Sequence, residues 1–192
     1  MNYVNLHHGM FYHIYNRGNN REALFKEDRN YHYFLDLYKK YIFPIADLYA
    51  YCLLPNHFHF LARIKELDEM DHKFRSENRI KVQFATFFGT YTKAFNNAYQ
   101  RSGTLFEGRF KRKLIGSTAQ YYQTIAYIHQ NPQKHCLVPD YQIWPYSSYW
   151  NFIKREANGL LSEEVIIDTD MYESIMSLHK NMILLDEDFK DA

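Results

Sequence analysis

The sequence predicts an α+β domain followed by a short C-terminal extension. Short runs rich in Phe, Tyr, Leu and Ile, typical of strands, alternate with longer runs in which apolar side chains recur at the helical spacing. The chain has 192 residues, 46% of them hydrophobic, which is enough for one globular domain and a tail. Its two cysteines, Cys52 and Cys136, form neither a zinc motif nor a disulfide framework. Since we find no signal-peptide pattern and no apolar run of membrane-spanning length, we expect a cytoplasmic protein.

The predicted elements follow in the order strand, helix, strand, strand, helix, strand, helix. Glu27 favours the start of the first helix, and Gly103 favours the end of the second. Ser117 with Gln120 forms a capping-box start for the third helix, and Pro132 is expected to stop it at residue 131. In chain order, the predicted ranges are 10–16, 28–42, 45–54, 56–64, 80–100, 105–115 and 117–131.

Without its last helix, this order is the βαββαβ pattern of a ferredoxin-like fold. That fold is an antiparallel sheet with its helices on one face, so we expect the other face to be free for a partner. We assign residues 1–152 to this domain and residues 153–192 to an acidic extension that is partly helical.

The near-zero net charge of the chain conceals an uneven distribution. Residues 156–192 hold ten acidic side chains and two lysines, a balance of −8, so the total of +1 leaves +9 on residues 1–155. A basic body with an acidic tail indicates a polyanion as the partner of the body. By itself, the tail is most simply a solvated, partly ordered extension.

His57 and His59 lie in a predicted strand and are separated by one bulky residue. Alternate side chains of a strand point to the same face, so the two imidazoles lie side by side while Phe58 and Phe60 enter the opposite layer. Two neutral imidazoles on a rigid element form half of a divalent-metal site. The alternative is a pair of ordinary surface histidines.

Helical geometry distinguishes the tyrosines of residues 117–131. Tyr121 shares an apolar stripe with Ile125 and Ile128 and is assigned to the core. Tyr127 falls among the amide side chains on the polar side, where it is available for chemistry. Asn131, one turn later, offers an oxygen donor to the same site. The alternative for Tyr127 is an ordinary exposed aromatic residue.

The segment 103–113 interleaves four cations with two phenylalanines. Cations bind phosphates and aromatic rings stack on bases, so the segment suits the lining of a nucleic-acid groove. Its cations are Arg109, Lys111, Arg112 and Lys113.

Together, these motifs resemble the REP-associated tyrosine transposases, which are single-tyrosine transposases of the HUH class (histidine, hydrophobe, histidine). The resemblance spans about residues 8–152, with its motifs in the family's order. The motifs are Asn16–Asn19, Leu54–His59, Gly103–Lys111, Tyr127–Pro132 and Trp144–Tyr149.

The resemblance implies a role for each candidate residue. His57 and His59 would be the metal pair, Tyr127 the nucleophile and Asn131 the third ligand. Asn131 departs from the wider superfamily, in which the helix ligand is often glutamine. The expected DNA-binding residues are Asn16, Arg17, Arg109, Lys111, Arg112 and Lys113.

The activity implied by the resemblance is transesterification on single-stranded DNA, in transposition or in processing of repeated palindromic elements. Tyr127 would attack phosphorus, leaving a 5′-phosphotyrosine and a free 3′-hydroxyl. The implied cofactor is Mg or Mn, which polarises the phosphate, and imidazole ligands lead us to expect that Mn works at least as well. The expected partner is a single-stranded hairpin or palindromic repeat in the nucleoid, bound by a monomer or a homodimer.

Two other functions remain open. A catalytically silent module that binds structured single strands would show the same fold and the same basic residues. A metal-dependent hydrolase of small phosphates is disfavoured, because the segment 103–113 is basic and aromatic and a carboxylate-rich metal site is lacking.

Overall fold

Four strands form one antiparallel sheet in the order β2-β3-β1-β4. In the computed structural model, which describes residues 5–156, 159–164 and 169–181, the strands are β1 (Phe11–Arg17), β2 (Ala46–Leu54), β3 (His57–Ile64) and β4 (Lys111–Leu114). The helices are α1 (Asp28–Tyr41), α2 (Glu77–Ala98), α3 (Thr118–Lys134), α4 (Tyr149–Lys154) and α5 (Thr169–Asn181). The element order and the antiparallel sheet confirm the predicted α+β, ferredoxin-like fold class.

One face of the sheet is aromatic and packs against α1 and α2. Tyr12, Phe58 and Phe60 on this face are each at most 1% exposed. Phe34 of α1 lies between the sheet and α2, with its ring centroid 5.2 Å from that of Phe58 and 4.7 Å from that of Phe87. Each such buried side chain contributes about 1.5–3 kcal/mol, so this layer forms the main core.

The opposite face of the sheet carries the histidines and is covered by α3. Tyr121 packs with its ring centroid 5.1 Å from that of Phe11, and Tyr127 lies 5.7 Å from His59 by the same measure. The prediction that this face is free is therefore wrong. The amide-rich side of α3 turns inward because the sheet presents polar rings to it, which hydrophobic periodicity does not reveal.

Two boundaries around β4 differ from the predicted ones. The α2 helix ends at Ala98, and the first residue after it with a left-handed φ is Gln100 (51°), before Gly103 (83°). β4 occupies only four residues of the predicted range 105–115. The segment before it turns at Gly108, whose φ of 66° is incompatible with a strand.

The α3 helix runs through Pro132 to Lys134, beyond the predicted stop. Its start is as predicted, since the Ser117 hydroxyl accepts a hydrogen bond from the backbone N–H of Gln120. At the other end, Nδ2 of Asn131 donates to the carbonyl of Tyr127 at 2.8 Å. Pro132 lies near the end of the helix, where it costs only one backbone hydrogen bond. Asn131 and Pro132 are buried, so the helix continues through the proline.

The α5 helix packs on α3, on a different side from the sheet. Nε2 of His179 lies 3.0 Å from Nδ1 of His129, and both side chains are buried. The rest of the predicted acidic extension lies partly outside the described residues. Within residues 5–156, 159–164 and 169–181, no helix is both long and apolar enough to cross a membrane.

Candidate catalytic and metal site

His57 and His59 share one face of β3, as strand alternation requires. Their ring centroids are 5.2 Å apart. Burial lowers the pKa of His57 to about 3 and that of His59 well below its usual value, with smaller contributions from neighbouring cationic and imidazole groups. Both imidazoles are therefore neutral near pH 7, the state in which a ring nitrogen can bind a metal.

Each of these histidines uses one ring nitrogen in a hydrogen bond. Nδ1 of His57 lies 2.7 Å from Oδ1 of Asn56, and Nδ1 of His59 lies 2.9 Å from Nε2 of His13. The other nitrogen, Nε2, is buried in both histidines and has no hydrogen-bond partner among the described residues.

The α3 helix brings Tyr127 beside His59, and His135, just after its end, lies 4.6 Å from His57 by ring centroid, so Asn131 lies on the helix between these two contacts. The ring centroid of Tyr127 lies 5.7 Å from that of His59 and 5.8 Å from that of His13. Asn131 is completely buried, and its Oδ1 also lacks a partner within the described part of the chain. His57, His59 and Asn131 thus each have one buried polar atom that remains unsatisfied.

This set of unsatisfied atoms fits a divalent cation. Buried polar atoms are nearly always hydrogen-bonded, and three of the seven exceptions within the described part of the chain belong to His57, His59 and Asn131. Two imidazole nitrogens and one amide oxygen suit Mn²⁺ and related ions, which accept nitrogen as well as oxygen. No group of three His, Cys, Asp or Glu side chains that could hold a metal occurs in residues 5–156, 159–164 and 169–181. The amide of Asn131 is the candidate for a third protein ligand.

A cavity of about 290 Å³ opens beside the histidines. His57, His59 and His135 line it, together with Tyr15, but Tyr127 is not in its wall. Tyr127 is only 3% exposed, so the amide-rich side of α3 is buried rather than open to solvent. Nζ of Lys134 lies 4.4 Å from the centroid of the Tyr127 ring, which places a cation against the candidate nucleophile.

His13 and Tyr15 contact His59, and His135 contacts His57, although no sequence motif indicated these three residues. His13, Tyr15 and Arg17 follow one another at intervals of two residues along β1, so the spacing predicts that they share one face of the strand. Their position beside His57 and His59 depends on the register of β1 against β3, because Tyr15 pairs with His59 across the two strands. No local pattern specifies that register.

The basic segment divides between two surfaces. Lys111 and Lys113 pair with Tyr15 and His13, so they share the histidine face, whereas Arg112 belongs to the other face. Only Lys111 of these three lines the cavity beside the histidines. Arg112 and Arg109 line a separate cavity of about 550 Å³ with three phenylalanines. Residues 103–113 therefore contribute to two surfaces and not to the single groove that we expected, because successive residues of a strand point in opposite directions.

Asn16 and Arg17 lie where these two surfaces meet. Asn16 lines both cavities, and Arg17 lines the one beside the histidines. Nη2 of Arg17 lies 2.9 Å from Oε1 of Glu107, and its Nε donates to the other carboxylate oxygen. The pairing raises the pKa of Arg17 and lowers that of Glu107. A phosphate would have to compete with Glu107 for this guanidinium.

Comparisons with known proteins agree with the motifs. No protein-family model matches the chain. A Haemophilus influenzae protein, provisionally named a REP-associated tyrosine transposase, is 33% identical over 110 residues, which are 56% of this chain and 61% of that protein. The chain therefore matches about three fifths of the length of this curated relative.

A solved structure of a REP-associated tyrosine transposase bound to a REP hairpin has the same fold. The two chains superpose with a TM-score of 0.56 at 22% identity, covering 89% of this chain and 90% of the other. The resemblance indicated by the motifs is thus confirmed, in sequence by the relative and in fold by the structure.

Proposed function

We propose that the chain is a REP-associated tyrosine transposase that cleaves and rejoins single-stranded DNA through a 5′-phosphotyrosine. The observation that supports this most directly is the set of unsatisfied buried atoms on His57, His59 and Asn131 beside Tyr127. Likeness to a transposase whose structure holds a REP hairpin supports a hairpin as the substrate.

In this proposal the protein binds and orients one phosphodiester beside the histidines. Lys111 lines the cavity there and provides positive charge for the DNA backbone. His57, His59 and Asn131 would hold Mg or Mn, which when bound withdraws charge from the phosphate.

Tyr127 is the nucleophile. Its phenolic oxygen forms a bond to phosphorus while the bond to the 3′-oxygen breaks, and the released 3′-hydroxyl reverses the step by the same route. One phosphodiester replaces another, so rejoining needs no ATP. The cation of Lys134 over the ring stabilises the phenolate that attacks.

The decisive experiment uses a labelled hairpin with a single-stranded flank, the full chain and Mn²⁺. A protein–DNA adduct that survives denaturation supports the transposase. His57→Ala and His59→Ala should each abolish the adduct while leaving the protein folded. Adduct formation at the wild-type level in either variant would contradict the metal-site assignment.

The alternative is a hairpin-binding module without cleavage. It is favoured by one observation, the burial of Tyr127 outside the wall of the cavity. In the same experiment, such a module would shift the hairpin on a native gel and leave it intact.

The divided basic segment gives a second test. Lys111→Ala should weaken hairpin binding and reduce the salt slope by about 0.7 for one lost phosphate contact with a single strand. Arg109→Ala with Arg112→Ala tests the other surface. If this double variant alone changes the slope, the DNA follows the 550 Å³ cavity instead.

A further inference from the structure

We propose that His13 is a positioning residue, which fixes the ring orientation and the tautomer of His59 so that Nε2 of His59 faces the metal. The inference rests on the proposed function, in which His57 and His59 bind a divalent cation. It adds a buried histidine of a different strand to the site.

The contact between the two rings is short and buried. Nε2 of His13 lies 2.9 Å from Nδ1 of His59, and the side chains are 1% and 2% exposed. The ring planes differ by 20°. Because β1 and β3 are paired along their length, with Tyr15 opposite His59, the backbone ladder holds both rings in place.

The direction of this hydrogen bond decides whether His59 can bind a metal. If Nδ1 of His59 donates, its Nε2 has a lone pair available to a cation, and His13 is the acceptor. If His13 donates, the proton of neutral His59 lies on Nε2, which then cannot act as a ligand. That N–H would also be a buried donor without an acceptor among the described residues. The structure therefore favours His59 as the donor.

His57 shows the same arrangement with an unambiguous partner. Its Nδ1 lies 2.7 Å from Oδ1 of Asn56, and a carbonyl oxygen only accepts. The proton of neutral His57 is thus on Nδ1, and Nε2 is the ligand atom. By the same arrangement, Asn56 orients His57 and His13 orients His59.

The affinity test uses Mn²⁺ alone, titrated into the full metal-free chain and followed by electron paramagnetic resonance. His13→Leu should weaken Mn²⁺ binding about 10- to 100-fold, because the other ring nitrogen of His59 loses its acceptor. His13→Gln retains an amide oxygen as acceptor and should stay within a few-fold of wild type. The matched control is His179→Gln, which removes another buried contact between two histidines, at 3.0 Å, and should leave Mn²⁺ affinity unchanged.

The tautomer is measured separately, by nitrogen NMR of histidine-labelled wild-type protein without metal. A proton on Nδ1 of His59 is expected, although the Nε2–H form is the commoner one for free histidine in water. A proton on Nε2 would overturn the proposal, as would wild-type Mn²⁺ affinity in His13→Leu. If His13→Leu does not fold, the Mn²⁺ affinity of His13→Gln and the tautomer of His59 in the wild type test the proposal instead. If wild type forms no DNA adduct but shows the expected tautomer and Mn²⁺ dependence on His13, the proposed activity fails and the positioning role stands.

Discussion

Replacing Tyr127 with Phe should abolish the covalent adduct and leave the fold and hairpin binding intact. The substitution removes one oxygen and keeps the ring, so the edge contacts with His13 and His59 and the cation of Lys134 at 4.4 Å remain. The loss of one side-chain hydrogen bond costs about 0.5–1.5 kcal/mol. Domains of this kind are stable by about 5–15 kcal/mol, so the variant stays folded.

The effect on chemistry should be complete rather than partial. A phenyl ring has no atom that can bond to phosphorus, so the adduct falls below detection at every Mn²⁺ concentration. The assay is a denaturing gel of the labelled hairpin incubated with protein, and mass spectrometry of the adduct peptide in wild type identifies the attached residue.

Three other tyrosines serve as matched controls. Tyr121→Phe should retain the adduct, because its ring packs in the core 5.1 Å from Phe11 by centroid. Tyr122→Phe should also retain it. Tyr15→Phe is the strictest control, since Tyr15 lines the cavity that Tyr127 does not. Attachment of DNA to Tyr15, or to any residue other than Tyr127, would refute the assignment, as would adduct formation by Tyr127→Phe.

Three further predictions concern binding and stability. Glu107→Gln should raise hairpin affinity a few-fold, because it releases Arg17 from an exposed ion pair. Unchanged affinity would exclude Arg17 from the interface. Gly18→Ala should destabilise the protein by about 1–3 kcal/mol in urea, since a Cβ there would lie 2.0 Å from the backbone oxygen of Glu22; wild-type stability would mean that this turn relaxes. His179→Gln should flatten the pH dependence of the free energy of unfolding. Burial lowers the folded-state pKa of His179 from 6.5 to about 4. Up to about 3 kcal/mol of stability that is present above pH 6.5 is therefore lost in the wild type as the pH falls towards 4. Parallel stability curves for the variant and wild type would contradict that.

The sequence by itself determined most of the local structure. Alternation placed His57 and His59 on one face of β3, and the helical period placed Asn131 one turn after Tyr127 on α3. Both results follow from backbone geometry, which is the same in every strand and every helix. The order of elements then indicated the βαββαβ sheet, because few topologies accommodate it.

Only the tertiary structure decided what these faces meet. The register of β1 against β3 brings His13 and Tyr15 beside His59, and the packing of α3 buries Tyr127. Strand alternation separates Lys111 from Arg112, although they are adjacent in sequence. Register and packing depend on contacts between residues 40 to 100 positions apart, as between His13 and His59 or Tyr15 and Lys111. A local pattern predicts which face of its strand or helix a residue occupies. The residues that this face contacts are determined only when the chain folds.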